Sequence, residues 1–249
     1  MTALLTVEGL SKHYGELEAL SDVGFQLQAG ELVAIVGPNG AGKTTLLSII
    51  AGCQPASAGS VAPDSLRIGW VPQQAALYSR LSAAENLRLF ARLERVQDVE
   101  GAVARMLAQT GLEERSREPL GRLSGGNRQR VNVAVGLIAD PPVLALDEPS
   151  AALDPSQRER LWEFISTLTA SGTAVLFSTH NLAEAELFAT RLLVLADGRL
   201  LFDGTPTELI EAAHAGEAGA DGGDSLEHSL VRFLELRTAD AERSGTPAG

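Results

Sequence analysis

The sequence has one cysteine, Cys53, and therefore no partner for an internal disulfide. That excludes a disulfide-stapled scaffold and fits a reducing compartment. It also lacks an apolar run of the roughly 18 residues that a bilayer-crossing helix needs. The longest candidate, Val131 to Leu146, is interrupted by Asn132, Asp140, Pro141 and Pro142. The N-terminus has no basic stretch followed by an apolar one, so a secretory signal is not expected. Basic charge is scarce: 20 Lys and Arg stand against 32 Asp and Glu, a formal net charge of -12. Proteins that bind a duplex carry a basic face to neutralise phosphates, so no nucleic-acid partner is expected. The histidines, His13, His180, His214 and His228, are scattered, with no CxxC or HxxxH spacing of a metal site. Nor does any segment repeat internally.

What is present is a chain of 249 residues, 45% hydrophobic and 21% charged, the balance of a soluble globular protein. That length allows one large domain or two lobes around a shared core. Leu4 to Val7 reads as extended. Leu32 to Val36 is short, apolar on both faces and followed by glycine, as a buried parallel strand is. A helix is expected from about Gly42, carrying Leu46, Leu47, Ile49 and Ile50, and then a strand over Arg67 to Val71, stopped by Pro72. From Ser82 to about Gln109 the apolar residues Leu87, Phe90, Ala91, Val103, Met106 and Leu107 recur at helical spacing. This block, extended to residue 123, predicts a helical lobe inserted into an α/β lobe. Strands resume at Val143 to Leu146, Ala174 to Phe177 and Leu192 to Leu195, with one helix face marked by Leu161, Phe164, Ile165 and Leu168. Strands alternating with helices predict a mostly parallel sheet covered on both sides. Asp197-Gly198 predicts a hairpin turn into Arg199 to Phe202. The main domain is expected to span 1–214. Within 215–249, the Gly-, Ala- and acid-rich stretch Ala215 to Asp224 reads as a flexible linker. Leu226, Leu230, Phe233 and Leu234 mark a short amphipathic helix before a tail. Core packing accounts for the two tryptophans, and Cys53 reads as a small core residue.

Two local patterns carry chemistry. Gly37-Pro38-Asn39-Gly40-Ala41-Gly42-Lys43-Thr44-Thr45 fits G-x-x-x-x-G-K-[ST] between a strand and a helix, the context that motif requires. Its glycines let successive backbone N–H groups curl around a phosphate, and the helix N-terminus adds partial positive charge. Lys43 is expected to reach the β- and γ-phosphates and the Thr44 hydroxyl to ligate Mg²⁺. In Val143-Leu144-Ala145-Leu146-Asp147-Glu148 an apolar strand delivers two acids to its C-terminal end, where open α/β sheets bind ligands. Asp147 suits Mg²⁺ through water, and Glu148 suits polarisation of the attacking water as a general base.

These residues, together with Leu123-Ser124-Gly125-Gly126-Asn127-Arg128-Gln129-Arg130, resemble the ATP-binding subunits of ABC transporters over about Leu4 to Leu209. The last run is similar to the signature motif of that family, with Asn127 where glutamine is usual. Ser124, two glycines and a helix start would form a second anion cradle. The resemblance implies an α/β phosphate-loop ATPase of the ABC type: a mixed sheet core, an antiparallel β portion and the inserted helical lobe. It implies that Gln73 senses Mg²⁺ and water, that His180 contacts the γ-phosphate, and that Tyr14 stacks on adenine. Gln74 is an alternative to Gln73. Ser150-Ala151-Ala152-Leu153-Asp154 resembles the family's dimer-contact loop; read as a turn alone, it places Asp154 or Ser156 at a helix N-cap.

The resemblance further implies ATP and Mg²⁺ as ligands and a second ABC ATPase subunit, most simply an identical one. Ser124, Gly125, Gly126 and Asn127 of one subunit would bind the ATP held by the other. It also implies a separate transmembrane permease, and so a cytoplasmic protein peripheral on the inner face of the cell membrane. Gly204-Thr205-Pro206 before Glu208-Leu209, and Ser225-Leu226-Glu227 before an apolar helix, resemble drug-resistance-type export ATPases. An exporter is expected on that analogy; a non-transport ABC ATPase, such as an iron–sulfur cluster assembly motor, is the alternative.

Overall fold

Two sheets share the strands of this protein, and one helix is clamped between them. The computed structural model describes residues 3–63, 67–151, 153–214 and 225–243. Strands β1 (Leu5–Tyr14), β2 (Leu17–Leu27) and β4 (Ala58–Ala62) form an antiparallel sheet in the order β2-β1-β4. Strands β3 (Leu32–Val36), β5 (Ile68–Val71), β6 (Val143–Asp147), β7 (Ala174–Ser178), β8 (Arg191–Ala196) and β9 (Arg199–Gly204) form the larger sheet, in the order β5-β6-β7-β3-β8-β9. Every pairing in it is parallel except β8 with β9, the hairpin turning at Asp197-Gly198.

The continuous apolar runs of β3, β6 and β7 follow from burial on both faces: every residue of the three is buried. Side chains alternate between two cores. Val33, Ile35, Ala145, Leu176, Leu193 and Leu195 face α1 (Lys43–Ile50) and the antiparallel sheet, where Leu46, Leu47, Leu10, Leu20 and Val23 meet them. Val36, Leu144, Leu146, Val175, Phe177 and Val194 face the remaining helices.

The helical lobe contains α2 (Ala83–Leu93) and α3 (Val99–Thr110). Ser82 begins α2 through a capping box with Glu85, and Asp98 caps α3, which ends at the left-handed Gly111. α4 (Gly125–Leu137) packs on both and also on β5, tying the lobe to the sheet. α5 (Pro155–Ala170) buries Leu161, Trp162 and Ile165, and Trp162 stacks on Phe188 at 5.1 Å and meets Phe177 edge-on at 4.6 Å.

α6 (Leu182–Phe188), α7 (Pro206–Ala213) and α8 (Leu226–Arg243) close the second face. At 18 residues, α8 is longer than the short amphipathic helix its four apolar positions imply. Leu226, Leu230 and Phe233 join the same core as β6 and β7. The expected linker, Ala215 to Asp224, lies outside the described residues. Two other differences stand out. Most of the antiparallel sheet escapes a pattern reading, because β1 and β2 are bulged and carry polar residues such as Glu8, Lys12 and Asp22. Cys53 is exposed just past α1 rather than in the core, because the chain leaves the helix there. Among the described residues no helix is long and apolar enough to cross a membrane.

Candidate active site

The chain leaves β3 at Val36 and turns through residues 37–42 into α1. Two positions admit only glycine. A Cβ on Gly37, at φ 147°, would stand 1.9 Å from the Leu195 carbonyl oxygen, and one on Gly42, at φ 99°, 2.5 Å from that of Ala19. No side chain caps α1, so its first-turn N–H groups stay available to an anion at this end. Lys43 lies along the loop, its Nζ donating to the carbonyls of Gly37 at 2.8 Å and Pro38 at 2.9 Å. Burial lowers the pKa of the Lys43 ammonium below its ordinary value, while Glu148 and Asp147 pull it upward. The cation is thus partly desolvated beside two acids.

Sheet register brings the acids to the loop. Asp147 at the end of β6 pairs with Ser178 at the end of β7. The Ser178 hydroxyl donates to Asp147 Oδ1 at 2.5 Å and accepts the Glu148 backbone N–H at 3.0 Å. The Thr44 hydroxyl lies 2.9 and 3.1 Å from Asp147 Oδ2 and Oδ1. Asp147 is nearly sealed from solvent. Glu148 takes a left-handed backbone, φ 49°, a conformation costing about 1–3 kcal/mol for a residue with a Cβ. Its Oε2 sits 2.7 Å from His180 Nδ1, which follows β7.

A cleft of about 340 Å³ opens here, lined by Tyr14, Leu17, Ala19, residues 39–45, Gln73, Asp147 and Glu148. The fold therefore gathers Tyr14, Asn39, Gly40, Ala41, Gly42, Lys43, Thr44, Thr45, Gln73, Asp147 and Glu148 around one space. Gly37 and Pro38 lie under it through Lys43, and His180 joins through Glu148. Ser124, Gly125, Gly126, Asn127 and Asp154 are not in this lining. Ser124 instead caps α4, its Oγ accepting the Asn127 N–H at 3.3 Å, and Asp154 caps α5, its Oδ1 accepting the Gln157 N–H at 2.9 Å. The two helix starts touch: a Cβ on Gly126 would meet Gln157 Cδ at 2.4 Å. A wider, shallower cleft of about 660 Å³ surrounds Glu31, Arg191 and Asp203. Its arginine is already engaged by Asp203, Glu31 and the Gln26 carbonyl, so it reads as structural.

Several supporting residues escape a reading of local motifs. Tyr14 Oη donates to Gln54 Oε1 at 2.6 Å, and Asn132 Nδ2 donates to the Pro72 carbonyl at 3.1 Å, just before Gln73. Ser178 is legible only once β6 and β7 are paired.

The fold and this cleft define a phosphate-loop ATPase, and the comparisons give its family. A family model described as ABC transporter matches residues 20–151, and the chain belongs to that family as an ATP-binding, ATP-hydrolysing subunit. It is 36% identical to Nod factor export ATP-binding protein I of Cupriavidus pinatubonensis, over 97% of this chain and 79% of that protein. It is 35% identical to daunorubicin resistance ATP-binding protein DrrA3 of Streptomyces coeruleorubidus, over 95% of this chain and 77% of that one. Among solved structures, an ATP-binding subunit of an ABC transporter superposes with TM-score 0.81 at 29% identity, covering 94% of this chain and 100% of its own. A dimeric ATP-binding cassette in a post-hydrolysis state, bound to ADP and Pi, superposes with TM-score 0.73 at 28% identity, over 81% of this chain and 98% of its own.

Proposed function

We propose that this subunit powers an exporter, and that its cleft hydrolyses ATP with Glu148 as the base. The observation that carries the chemistry is that Lys43, Thr44, Asp147 and Glu148 line one cleft at the C-terminal ends of β3 and β6, with Thr44 hydrogen-bonded to Asp147 and His180 to Glu148. Export rests on the relatives, whose names specify Nod factor export and daunorubicin resistance. Tyr14 at the cleft edge suits stacking on adenine. The 37–45 loop and the start of α1 receive the phosphates, with Lys43 exchanging its carbonyl partners for phosphate oxygens. Glu148 orients and deprotonates water, and His180, hydrogen-bonded to it, is placed to meet the γ-phosphate.

The Thr44 hydroxyl and Asp147 carboxylate form a hard, all-oxygen pair of the kind Mg²⁺ takes. Thr44 would hold the ion directly, Asp147 through water, and Gln73 from the cleft wall. Bound there, Mg²⁺ neutralises phosphate charge.

Ser124 to Asn127 and Asp154 stand apart from the cleft, which suits a second subunit bringing its own Ser124 to Asn127 against this subunit's ATP. In that arrangement Asp154 lies at the contact. Residues 1–214 supply every proposed ATP contact, and a separate permease supplies the membrane path. Such a subunit works on the cytoplasmic face of the membrane. The test is size-exclusion chromatography with Mg-ATP. Glu148→Gln keeps shape and removes the base, so a closed, ATP-loaded dimer should accumulate. A Glu148→Gln protein that binds ATP yet stays monomeric at high concentration contradicts the reading.

A further inference from the structure

Glu184 is a buried carboxylate that the proposed chemistry does not use. It lies on α6, four residues after His180, and is 4% exposed. Its Oε2 accepts the Ser150 hydroxyl at 2.6 Å, and its Oε1 lies 2.9 Å from Arg158 Nε of α5, an ion pair whose angle is not that of a hydrogen bond. Arg158 in turn donates to the Leu153 carbonyl at 3.4 Å. Ser150 is itself 4% exposed and stands two residues past Glu148.

The turn between these residues is tightly closed. The Ala151 N–H donates to the Glu148 carbonyl at 3.3 Å and the Leu153 N–H to the Ser150 carbonyl at 3.0 Å. Glu148 enters this turn in its left-handed conformation, with its own N–H held by Ser178. So the backbone of Glu148 is pinned on one side by β7. On the other side it is pinned, through Ser150, by α6. His180 occupies the short connection between the same two elements. A buried ion pair adds little to stability beyond what apolar packing supplies. What this pair supplies is position: one carboxylate ties the turn after Glu148 to the helix that follows His180, and Arg158 extends the link to Leu153, next to Asp154.

We infer that Glu184 is a positioning residue for ATP hydrolysis, holding the turn that carries Glu148 through Ser150 and holding His180 through the start of α6. The inference rests on the reading of Glu148 as the base. Hydrolysis tolerates little misplacement of a base, so kcat is the sensitive quantity. The phosphate loop makes none of these contacts, so ATP affinity is not.

The experiment measures steady-state ATP hydrolysis and melting temperature of the full chain for wild type, Glu184→Gln and Ser150→Ala. Glu184→Gln keeps the shape and an acceptor for Ser150 but loses the charge that holds Arg158. Its kcat is expected to fall about 10- to 100-fold, with KM for ATP within about 2-fold of wild type. Ser150→Ala leaves the ion pair in place and is expected to lose about 3- to 10-fold in kcat, the worth of one hydrogen bond. Wild-type kcat in Glu184→Gln overturns the assignment. So does a fall in rate matched by equal losses of ATP affinity and melting temperature, the mark of a purely structural residue. If Glu184→Gln does not fold, Ser150→Ala decides alone, and wild-type kcat there overturns it. Lys43→Ala in the same assay tests the ATP site separately. A dead Lys43→Ala beside a fully active Glu184→Gln leaves the site standing and removes only the positioning role.

Discussion

The chemistry of single residues here depends on where backbone strain and burial put them. Glu148 is the clearest case. Adjacent residues on a strand point to opposite faces, yet Asp147 and Glu148 both line one cleft because the chain breaks from β6 into a left-handed turn between them. The adjacency of the two acids is legible in the sequence, and so is the glycine-rich loop, because both are local patterns. The contacts that aim them are not legible. Ser178 and Glu184 act across 31 and 34 positions of sequence, and Gln54, which holds Tyr14, across 40. Lys43 tests the loop most directly. It is the cation of the cleft, and burial already strains its charge. Lys43→Ala should weaken ATP binding by roughly 1.5–3 kcal/mol, or about 10- to 150-fold, the worth of a charge-assisted contact. Isothermal titration with Mg-ATP measures this, and unchanged affinity removes the loop from the site.

At the scale of elements, helix starts and the last helix carry the testable consequences. The Ser82 N–H bonds Glu85 at 2.8 Å, and the Thr205 N–H bonds Glu208 at 2.6 Å. These backbone bonds hold both carboxyls below the usual carboxylate range. A carboxyl whose folded pKa is depressed contributes stability above its unfolded pKa, and that contribution disappears as pH falls through the depressed value. Wild type should therefore lose melting temperature faster than a Glu85→Gln/Glu208→Gln double variant as pH drops below about 4.3. Parallel slopes in the two proteins count against the caps. The last helix, α8, makes a different prediction. Its apolar positions are legible in the sequence, but their docking is not, since nothing local tells a free amphipathic helix from one seated on α6 and α7. Removing residues 215–249 strips Leu226, Leu230 and Phe233 from the core. The truncated protein should melt lower while keeping its ATP affinity, because the lining of the cleft precedes residue 214. Phe233→Ala alone should destabilise by about 3–5 kcal/mol, measured by denaturant titration. A truncated chain that folds but no longer binds ATP shows that the functional unit extends into α8.

For the whole molecule, the separation of Ser124 to Asn127 from the cleft is the main fact. Ser124 to Asn127 begin α4 outside the cleft, and related cassettes are dimeric in solved structures. If a second copy completes the site, adding Ser124→Arg to Glu148→Gln should abolish the ATP-dependent dimer by filling the cradle that each subunit offers to its partner's phosphate. Each monomer's own loop is left unchanged, so ATP should still bind. Size-exclusion chromatography and nucleotide titration together read both effects, and a dimer that survives Ser124→Arg points to a different contact. The layered sheet legible in the α/β alternation has one more consequence. Leu144 and Leu146 of β6 face one core while Val143 and Ala145 face the other. Both sides are sealed, so β6 has no solvent face to absorb a slip. Substitutions that keep size and apolarity leave this strand in phase. Gain or loss of a single codon within it exchanges the two sets of side chains and rotates the acidic end away from Thr44. A deletion or insertion of one residue in β6 should therefore abolish folding, measured as loss of a cooperative melting transition, whereas the same change in a loop outside the two cores should not.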